Sequence, residues 1–276
     1  MGNEKLVSIL IPVYNRVNLV RKAIESSINQ TYTYIEIIIG DNCSTDGTWQ
    51  VLQKYEKCDS RIHIFRNEEN IGPVRNWIEC SKRANGEYVK ILFSDDWMDL
   101  DWIEKAVRIL NDNANTGFVY STVNIVSRHE NQIFVFFKTF NYNKIFNTHL
   151  FLRLSMRDSL LPVSPGCFLF RKKDVQVNLR SSLPGTSYDY NTNGAGSDLL
   201  LILLTAKNYK KIAFLKDSVC YFLDHKDSFS YTPSLIIPVY QEVKKYMLPF
   251  HNNRLSILVN DIYIYTYRIL RKLKFI

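Results

Sequence analysis

Residues 6–15 read LVSILIPVYN, a short apolar run that ends abruptly at Tyr14 and Asn15. A continuous run of Ile, Leu and Val of this length predicts a strand over residues 6–13 that is buried on both faces. Residues 18–29 follow and predict a helix whose apolar face holds Leu19, Val20, Ala23, Ile24 and Ile28. The chain therefore begins with a buried strand and an amphipathic helix.

The same alternation continues to residue 110. Further strands are predicted over residues 34–39, 61–65 and 88–93, each followed by an amphipathic helix. Four strand–helix repeats predict an α/β fold with an open, mostly parallel sheet and helices on both faces. Such sheets bind ligands beyond the carboxyl ends of their strands. Here that edge carries polar residues after every strand: Tyr14, Asn15, Asp41, Asn42, residues 67–70, Asp95 and Asp96.

The second half of the chain is less regular. It predicts antiparallel strands at 118–126 and 132–137, a strand at 167–171 and two short strands at 211–215 and 218–223. A polar loop over 182–197 leads into an apolar helix at 199–206. From residue 234 the pattern is helical, with interruptions expected at Pro238 and Pro249.

Composition excludes several classes of protein. The chain has 276 residues, of which 46% are hydrophobic and 22% charged, so it can bury a sizeable core. Its apolar runs are too short for a transmembrane helix, and its N-terminus has no secretory signal. Five cysteines without CxxC spacing argue against a disulfide framework and a zinc ribbon. A cytoplasmic location is therefore expected.

The net charge of +8 is concentrated near the C-terminus. Residues 244–276 carry seven Lys or Arg and one Asp, which is +6 and leaves +2 for the rest. A nucleic-acid-binding protein would usually spread its charge over a face of the fold, so no nucleic acid is expected. From Leu255 the chain is amphipathic and basic. It is expected either to lie peripherally on the inner face of the cytoplasmic membrane or to dock on the rest of the protein.

Seven short motifs occur in a characteristic order. They are VSILIPVYN (7–15), IGDNCSTDGT (39–48), NIGPVRN (70–76), NGEYV (85–89), SDD (94–96), GSDLL (196–200) and HKDSFS (225–230). Together they resemble the family 2 inverting glycosyltransferases, which have the GT-A fold, a Rossmann-like nucleotide-diphospho-sugar transferase architecture. The resemblance spans about residues 6–231. It implies a GT-A domain at 1–231 and a basic, amphipathic helical extension at 232–276.

The resemblance implies a UDP-sugar donor held along the first strands. Asp41 would accept a hydrogen bond from the uracil N3–H, beside a wall formed by Pro12, Tyr14 and Asn15. Further along the chain, Asn70 would shape the adjacent loop, and Arg75 would contact the donor or brace the metal loop. The alternatives are that Asp41 merely starts a turn and that Arg75 is an exposed helix charge.

The Asp95-Asp96 pair is the sharpest local signal. Adjacent carboxylates after a buried strand repel each other unless a cation lies between them, and hard oxygen ligands suit Mn²⁺ or Mg²⁺. By resemblance, Asp96 holds the metal, Asp95 the ribose or metal-bound water, and His225 completes the metal shell or touches the diphosphate. The alternatives are that the pair caps the following helix and that His225 has no role. Many relatives have a further Asp where this chain has Phe93.

Asp198 is the candidate catalytic base. Inversion needs one carboxylate to accept the proton of the attacking hydroxyl. Relatives usually have Glu-Asp here, whereas this chain has Ser197-Asp198, and either residue could instead cap the apolar helix.

The chain is thus expected to transfer a sugar from a UDP-sugar to a hydroxyl of a saccharide acceptor. That acceptor would be lipid-linked, as in bacterial surface polysaccharide synthesis. The loop at 182–197 would order over the bound donor and exclude water. Two alternatives remain. A sugar nucleotidyltransferase would need a Gly-rich loop after the first strand, which is absent here, and Phe93 and Ser197 leave room for a non-catalytic nucleotide-sugar-binding subunit.

Overall fold

A computed structural model describes residues 4–127, 133–137, 139–156, 161–186, 188–192, 194–225 and 233–250. Of residues 233–236 and 250 it describes the backbone alone. The strands are β1 Val7–Val13, β2 Ile35–Asp41, β3 Ile62–Arg66, β4 Tyr88–Ile91, β5 Trp97–Met98, β6 Thr116–Ser127, β7 Ile133–Phe136, β8 Lys144–Asn147, β9 Phe168–Arg171 and β10 Lys211–Asp224. The helices are α1 Val20–Ile28, α2 Thr48–Cys58, α3 Pro73–Arg83, α4 Trp102–Asp112, α5 Thr148–Met156, α6 Lys172–Asn178, α7 Ser197–Lys207 and α8 Pro233–Met247.

One mixed sheet organises the molecule, with strand order β3-β2-β1-β4-β9-β6-β10-β5. The strands β3, β2, β1 and β4 are parallel, as the sequence predicted. The strand β9 runs antiparallel to both β4 and β6, and β10 is parallel to β6. Six strands therefore end at the same edge of the sheet, namely β1–β4, β6 and β10.

The core lies on both faces of this sheet. Every residue of β1 and β2 is buried, which explains why β1 is almost wholly apolar and why the Glu36 carboxylate of β2 accepts hydrogen bonds from Ser8 and Asn85. On one face α3 contributes Val74, Trp77 and Cys80. The helix α7 is apolar all round because it is enclosed on all sides, and each residue from Leu199 to Leu203 is at most 2% exposed.

The second half departs from the prediction in several places. The two short strands expected at 211–215 and 218–223 form one continuous strand, β10, with a register shift against β6 between Leu215 and Cys220. The sequence did not predict α5, α6, β5 or β8. Pro238 lies within α8 instead of interrupting it.

The described helices do not span a membrane: none of them combines the required length with the required hydropathy. The basic amphipathic stretch from Leu255 onward lies outside the described residues. Its predicted contact with a membrane or with the domain stays a prediction.

Candidate active site

A cleft of about 990 Å³ opens at the carboxyl edge of the sheet. It runs from the ends of β1 and β2 to the ends of β6 and β10, and the N-terminus of α7 forms part of its wall. Polar groups line it on both sides: Tyr14, Asn42, Asn70, Asn76, Asp95, Asp96, Asn191, Asp198, Asp224 and Tyr240. Such a cleft, at the point where the sheet edge is polar, is where an α/β protein binds its ligand.

Asn42 organises the side of the cleft next to β1 and β2. Its side-chain oxygen accepts hydrogen bonds from the Asn67 amide and the Ile71 backbone N–H. Its side-chain nitrogen donates to Asn70 Oδ1 at 2.7 Å and to the Gly72 carbonyl. The amide uses both its donor and its acceptor atoms, so one side chain after β2 holds the whole loop before α3.

Asp41 and Asn15 support this side of the cleft from behind. The Asp41 carboxylate is fully buried, accepts the Ser44 N–H and lies 3.2 Å from Arg66 Nε. Burial raises the pKa of Asp41, although its bonds to Ser44 and the Arg66 charge oppose the rise. The side-chain oxygen of Asn15 accepts the Thr45 N–H. Neither residue lines the cleft, whereas their neighbours Tyr14 and Asn42 do.

The Asp95-Asp96 pair lies in the middle of the cleft. Asp95 Oδ2 contacts His225 Nε2 at 2.8 Å, and Asp96 Oδ1 accepts the Leu223 N–H at 3.2 Å. Burial, together with the neighbouring Asp95 charge, raises the pKa of Asp96 well above its usual value. The loop after β4 is thus fastened to the end of β10.

Lys90 supplies a positive charge beneath this pair. It lies on β4, is fully buried, donates to the Gly166 carbonyl and lies 3.4 Å from Cys220 Sγ. Its ammonium group also sits 4.1 Å above the Trp102 ring. The Lys90 charge opposes the rise in the pKa of Asp96 without cancelling it. Negative charge on Asp96 is therefore costly in this buried place without a further positive partner.

The chemistry of these donors fits a divalent cation. Asp95 and Asp96 offer oxygen ligands, and a cation would relieve their mutual repulsion. Among the described residues, no group of three or more His, Cys, Asp or Glu side chains is arranged to hold a metal ion. His225 in particular is bonded to Asp95, so it would have to turn from that carboxylate to serve as a ligand.

Asp198 lies at the N-terminus of α7 and is 8% exposed. Its Oδ1 accepts the backbone N–H groups of Gly196 at 2.9 Å and Leu199 at 2.7 Å, and its Oδ2 accepts the Tyr240 hydroxyl at 2.6 Å. Burial raises the pKa of Asp198 to about 7, against the effect of these hydrogen bonds. A carboxylate with such a pKa can accept a proton at neutral pH. The same carboxylate also accepts the hydrogen bonds of two backbone N–H groups at the start of α7.

Aromatic side chains line the remaining wall of the cleft. Phe93 packs against Trp77 with 5.1 Å between the ring centroids, so the position where many relatives have Asp is here part of an apolar wall. Phe134 and Phe136 of β7 and Phe222 of β10 also line the cleft. Flat apolar rings of this kind can pack against the faces of sugar rings.

Asn191 joins two sides of the cleft: it belongs to the loop at 182–197 and contacts Gly72 and Arg75 on the side of α3. The Arg75 backbone N–H donates to Asn191 Oδ1 at 3.2 Å, and the Asn191 carbonyl packs where a side chain at Gly72 would lie. The Arg75 side chain itself is exposed and does not line the cleft. The loop predicted to cover the donor is therefore in contact with the segment before α3.

The sequence profile described as Glycosyl transferase family 2 matches residues 8–177, which is more than half of the chain. The chain belongs to glycosyl transferase family 2. The match covers the strands from β1 to β9 and includes Asp95 and Asp96. The candidate base Asp198 and the metal candidate His225 lie beyond it.

Curated glycosyltransferases are similar to part of this chain. A putative teichuronic acid biosynthesis glycosyltransferase, TuaG of Bacillus subtilis, is 40% identical over 115 residues, which cover 41% of this chain and 46% of that protein. A GalNAc(5)-diNAcBac-PP-undecaprenol beta-1,3-glucosyltransferase of Campylobacter jejuni is 34% identical over 128 residues, covering 46% of this chain and 40% of that protein. The alignments thus span less than half of either relative.

Solved structures confirm the GT-A glycosyltransferase fold. The structure of S. aureus TarS 1-349 in complex with UDP-GlcNAc matches with a TM-score of 0.69 at 18% identity, and it covers 93% of this chain and 70% of that one. The same protein without that ligand matches with a TM-score of 0.67 at 20% identity, covering 93% and 68%. At this identity the likeness shows the fold.

The structure brings most of the sequence-predicted site residues to this one cleft. Those that line it are Pro12, Tyr14, Asn70, Asp95, Asp96 and Asp198, and His225 reaches it through Asp95. Asn15, Asp41 and Arg75 lie outside the lining. Sequence reasoning did not single out Tyr240, Asn191, Phe134 or Phe136, because their places depend on how the second half of the chain folds back over the edge.

Proposed function

We propose that this family 2 glycosyltransferase transfers a sugar, with inversion, from a UDP-sugar to a hydroxyl of a saccharide acceptor. The observation that carries the proposal is the presence of the Asp95-Asp96 pair and Asp198 in the same cleft. The departing diphosphate needs carboxylates that can hold a cation, and the attacking hydroxyl needs a carboxylate base. Candidates for both, the Asp95-Asp96 pair and Asp198, line this cleft. The TarS structure with UDP-GlcNAc supports a UDP-sugar as the donor class.

The donor half of the cleft is the side formed by β1, β2 and the loop before α3. Here Pro12, Tyr14 and Asn70 would contact the nucleotide, around the loop that Asn42 holds. The role that the family resemblance gives to Asp41, a hydrogen bond to the uracil N3–H, stays a prediction. Its carboxylate is buried and already bonded to Ser44 and Arg66.

The diphosphate half is the Asp95-Asp96 pair. Asp96, with Asp95 beside it and His225 behind, would hold Mn²⁺ or Mg²⁺. When bound, such a cation neutralises charge that gathers on the departing diphosphate. The Leu223 N–H and His225 fix the positions of the two carboxylates, and His225 would have to turn from Asp95 to join them as a ligand.

The reacting centre would lie beside Asp198. The acceptor oxygen attacks the anomeric carbon, the carbon–oxygen bond to the diphosphate breaks, and the acceptor proton passes to the Asp198 carboxylate. One base suffices for such a single displacement, unlike the carboxylate pair of a glycosidase. The aromatic wall of Phe134, Phe136 and Phe222 offers rings on which an acceptor sugar can pack.

We further propose that the acceptor is a lipid-linked saccharide of a bacterial surface polysaccharide. The names of the Bacillus and Campylobacter relatives support this class of acceptor. The mostly apolar wall on the acceptor side is compatible with it. Attachment to the inner face of the cytoplasmic membrane through residues beyond 250 is the matching expectation for location.

The test is release of UDP from a panel of UDP-sugars, with and without Mn²⁺, in the presence of saccharide acceptors. Asp198→Asn should lower kcat by at least about 10³-fold while UDP affinity changes less than about twofold. Asp174→Asn is the matched control, since Asp174 is also buried and bonded to a tyrosine but lies outside the cleft. UDP binding without turnover of any donor would instead favour a non-catalytic nucleotide-sugar-binding subunit.

A further inference from the structure

The contact between Asp198 and α8 joins the candidate base to the C-terminal part of the chain. The Tyr240 hydroxyl is 2.6 Å from Asp198 Oδ2, and the two residues are 42 positions apart. Together with the Gly196 and Leu199 N–H groups, it makes three donors on one carboxylate. A carboxylate has about four acceptor positions, so one remains for the proton of an attacking hydroxyl.

The packing of α8 fixes the position of Tyr240 relative to Asp198. Tyr240, Val243 and Met247 lie on one face of the helix, and Val243 and Met247 are at most 1% exposed. The helix approaches α7 closely at Gly196, whose φ is +94°. A side chain at this position would overlap the Tyr190 ring and lie 2.7 Å from Val239. The tightly packed interface between α8 and the start of α7 therefore holds Tyr240 against Asp198.

We propose that Tyr240 is a positioning residue for the catalytic base: its hydroxyl holds the Asp198 carboxylate in the orientation that receives the acceptor proton. This inference rests on the proposed function. It assigns a role in transfer to a residue beyond the part of the chain that the family profile matches. It also means that α8 completes the active site.

The electrostatic surroundings of Asp198 allow this role to be measured. Burial raises the pKa of Asp198 to about 7, and the Tyr240 hydrogen bond is the largest of the effects that lower it. Among the described residues, Tyr190 is a second titratable neighbour: burial raises its pKa, and the Asp198 charge, Tyr188 and Glu242 of α8 add to the rise. Both tyrosines stay neutral near pH 7, so the titration there belongs to the carboxylate.

The decisive variant is Tyr240→Phe, which removes the hydroxyl and keeps the ring. We expect the acidic limb of the kcat profile to move up by about one pH unit, because the ionised carboxylate loses a hydrogen bond. We also expect kcat on the high-pH plateau to fall about tenfold, because the carboxylate is less well oriented. The KM for the donor should stay within about twofold.

Tyr209→Phe is the matched control. The Tyr209 hydroxyl donates to Asp174 Oδ2 at 2.7 Å, so the pair has the same chemistry, and neither residue lines the cleft. A merely structural role for Tyr240 would lower the melting temperature, as Tyr209→Phe can, and would leave the pH limb in place. An unmoved limb together with an unchanged plateau in Tyr240→Phe would overturn the proposal.

A second measurement does not depend on turnover. The side-chain carboxyl ¹³C resonance of Asp198, assigned with Asp198→Asn, should titrate about one unit higher in Tyr240→Phe than in the wild type. An unchanged titration would refute the contact. If the wild type transfers no sugar while the resonance shifts as expected, the proposed function fails and the contact between Tyr240 and Asp198 stands.

Discussion

His225 Nε2 lies 2.8 Å from Asp95 Oδ2, and this contact ties the end of β10 to the loop after β4 across 130 positions of sequence. The two carboxylates of the Asp95-Asp96 pair therefore differ. Asp95 faces an imidazole, whereas Asp96 accepts the Leu223 N–H and is the more deeply buried. Burial, together with the neighbouring Asp95 charge, makes the ionised form of Asp96 energetically costly.

Replacing Asp96 should reveal this cost. Asp96→Asn keeps an oxygen that can accept the Leu223 N–H and removes a buried charge that Asp95 repels. In the presence of a chelator we expect the variant to melt about 3–6 °C above the wild type. Mn²⁺ should stabilise the wild type and not the variant. Asp95→Asn is the comparison, and an equal gain there would contradict the difference between the two carboxylates.

The pH dependence of stability should report on Asp198. Its folded pKa of about 7 is above the unfolded value near 4, so the folded state holds the proton more tightly between these two pH values. The stabilisation is therefore complete below about pH 4 and is lost as the pH rises through 7. Asp198→Asn should not show this loss. Urea titrations at pH 5.5 and pH 8.5 give the measurement. Relative to the variant, the free energy of unfolding of the wild type should be lower at pH 8.5 than at pH 5.5 by about 2 kcal/mol. Parallel curves would exclude the elevated pKa.

Substitution of Gly196 should release α8. Gly196→Ala places a methyl group against Tyr190 and Val239 at a backbone φ of +94°, and we expect a cost of about 3 kcal/mol. Gly185→Ala is the control, since Gly185 has a similar φ of +77° and nothing within 4 Å of the added carbon. It should cost only about 1 kcal/mol. Equal denaturation midpoints for the two variants would show that α8 does not pack on Gly196.

Asn42→Asp should loosen the loop before α3. The substitution replaces a donor that faces Asn70 Oδ1 and the Gly72 carbonyl with a second acceptor. We expect a loss of stability of about 2 kcal/mol. UDP, as measured by calorimetry, should bind at least about tenfold more weakly. Asn29→Asp is the control at an exposed helix end, where one bond to the Glu25 carbonyl is lost. A stable Asn42→Asp protein with normal UDP affinity would remove Asn42 from the donor site.

The first half of the fold could be predicted because its signals are local. The strands predicted over 6–13 and 34–39 come from mainly apolar runs, and the structure confirms them as the buried parallel strands β1 and β2 with polar residues at their ends. The same rule placed Asp95 and Asp96 at the edge. The direction of a side chain within that edge is not local: Asn42 lines the cleft and the adjacent Asp41 does not, although the sequence singled out Asp41 as the contact to the base.

The second half depended on information that a single stretch of sequence does not contain. Lys216 and Asp217 interrupt an apolar run and predicted a break, yet the chain passes them by shifting register against β6. Lys90 sits in a predicted strand as an ordinary charged residue, and only the packed structure shows it buried beneath the carboxylates. Tyr240 reaches Asp198 only because α8 folds back on α7, which no motif announces.

Asn191 bridges the rims of the cleft, and this has a consequence for how the two substrates communicate. It touches the segment at 72–75 on one side and belongs to the turn that leads into α7 on the other. A donor that binds against residues 72–75 would meet a backbone that Asn191 contacts, and Asn191 lies only seven positions before Asp198. We therefore expect occupation of the donor's place to be felt at the candidate base, and donor binding to precede acceptor binding.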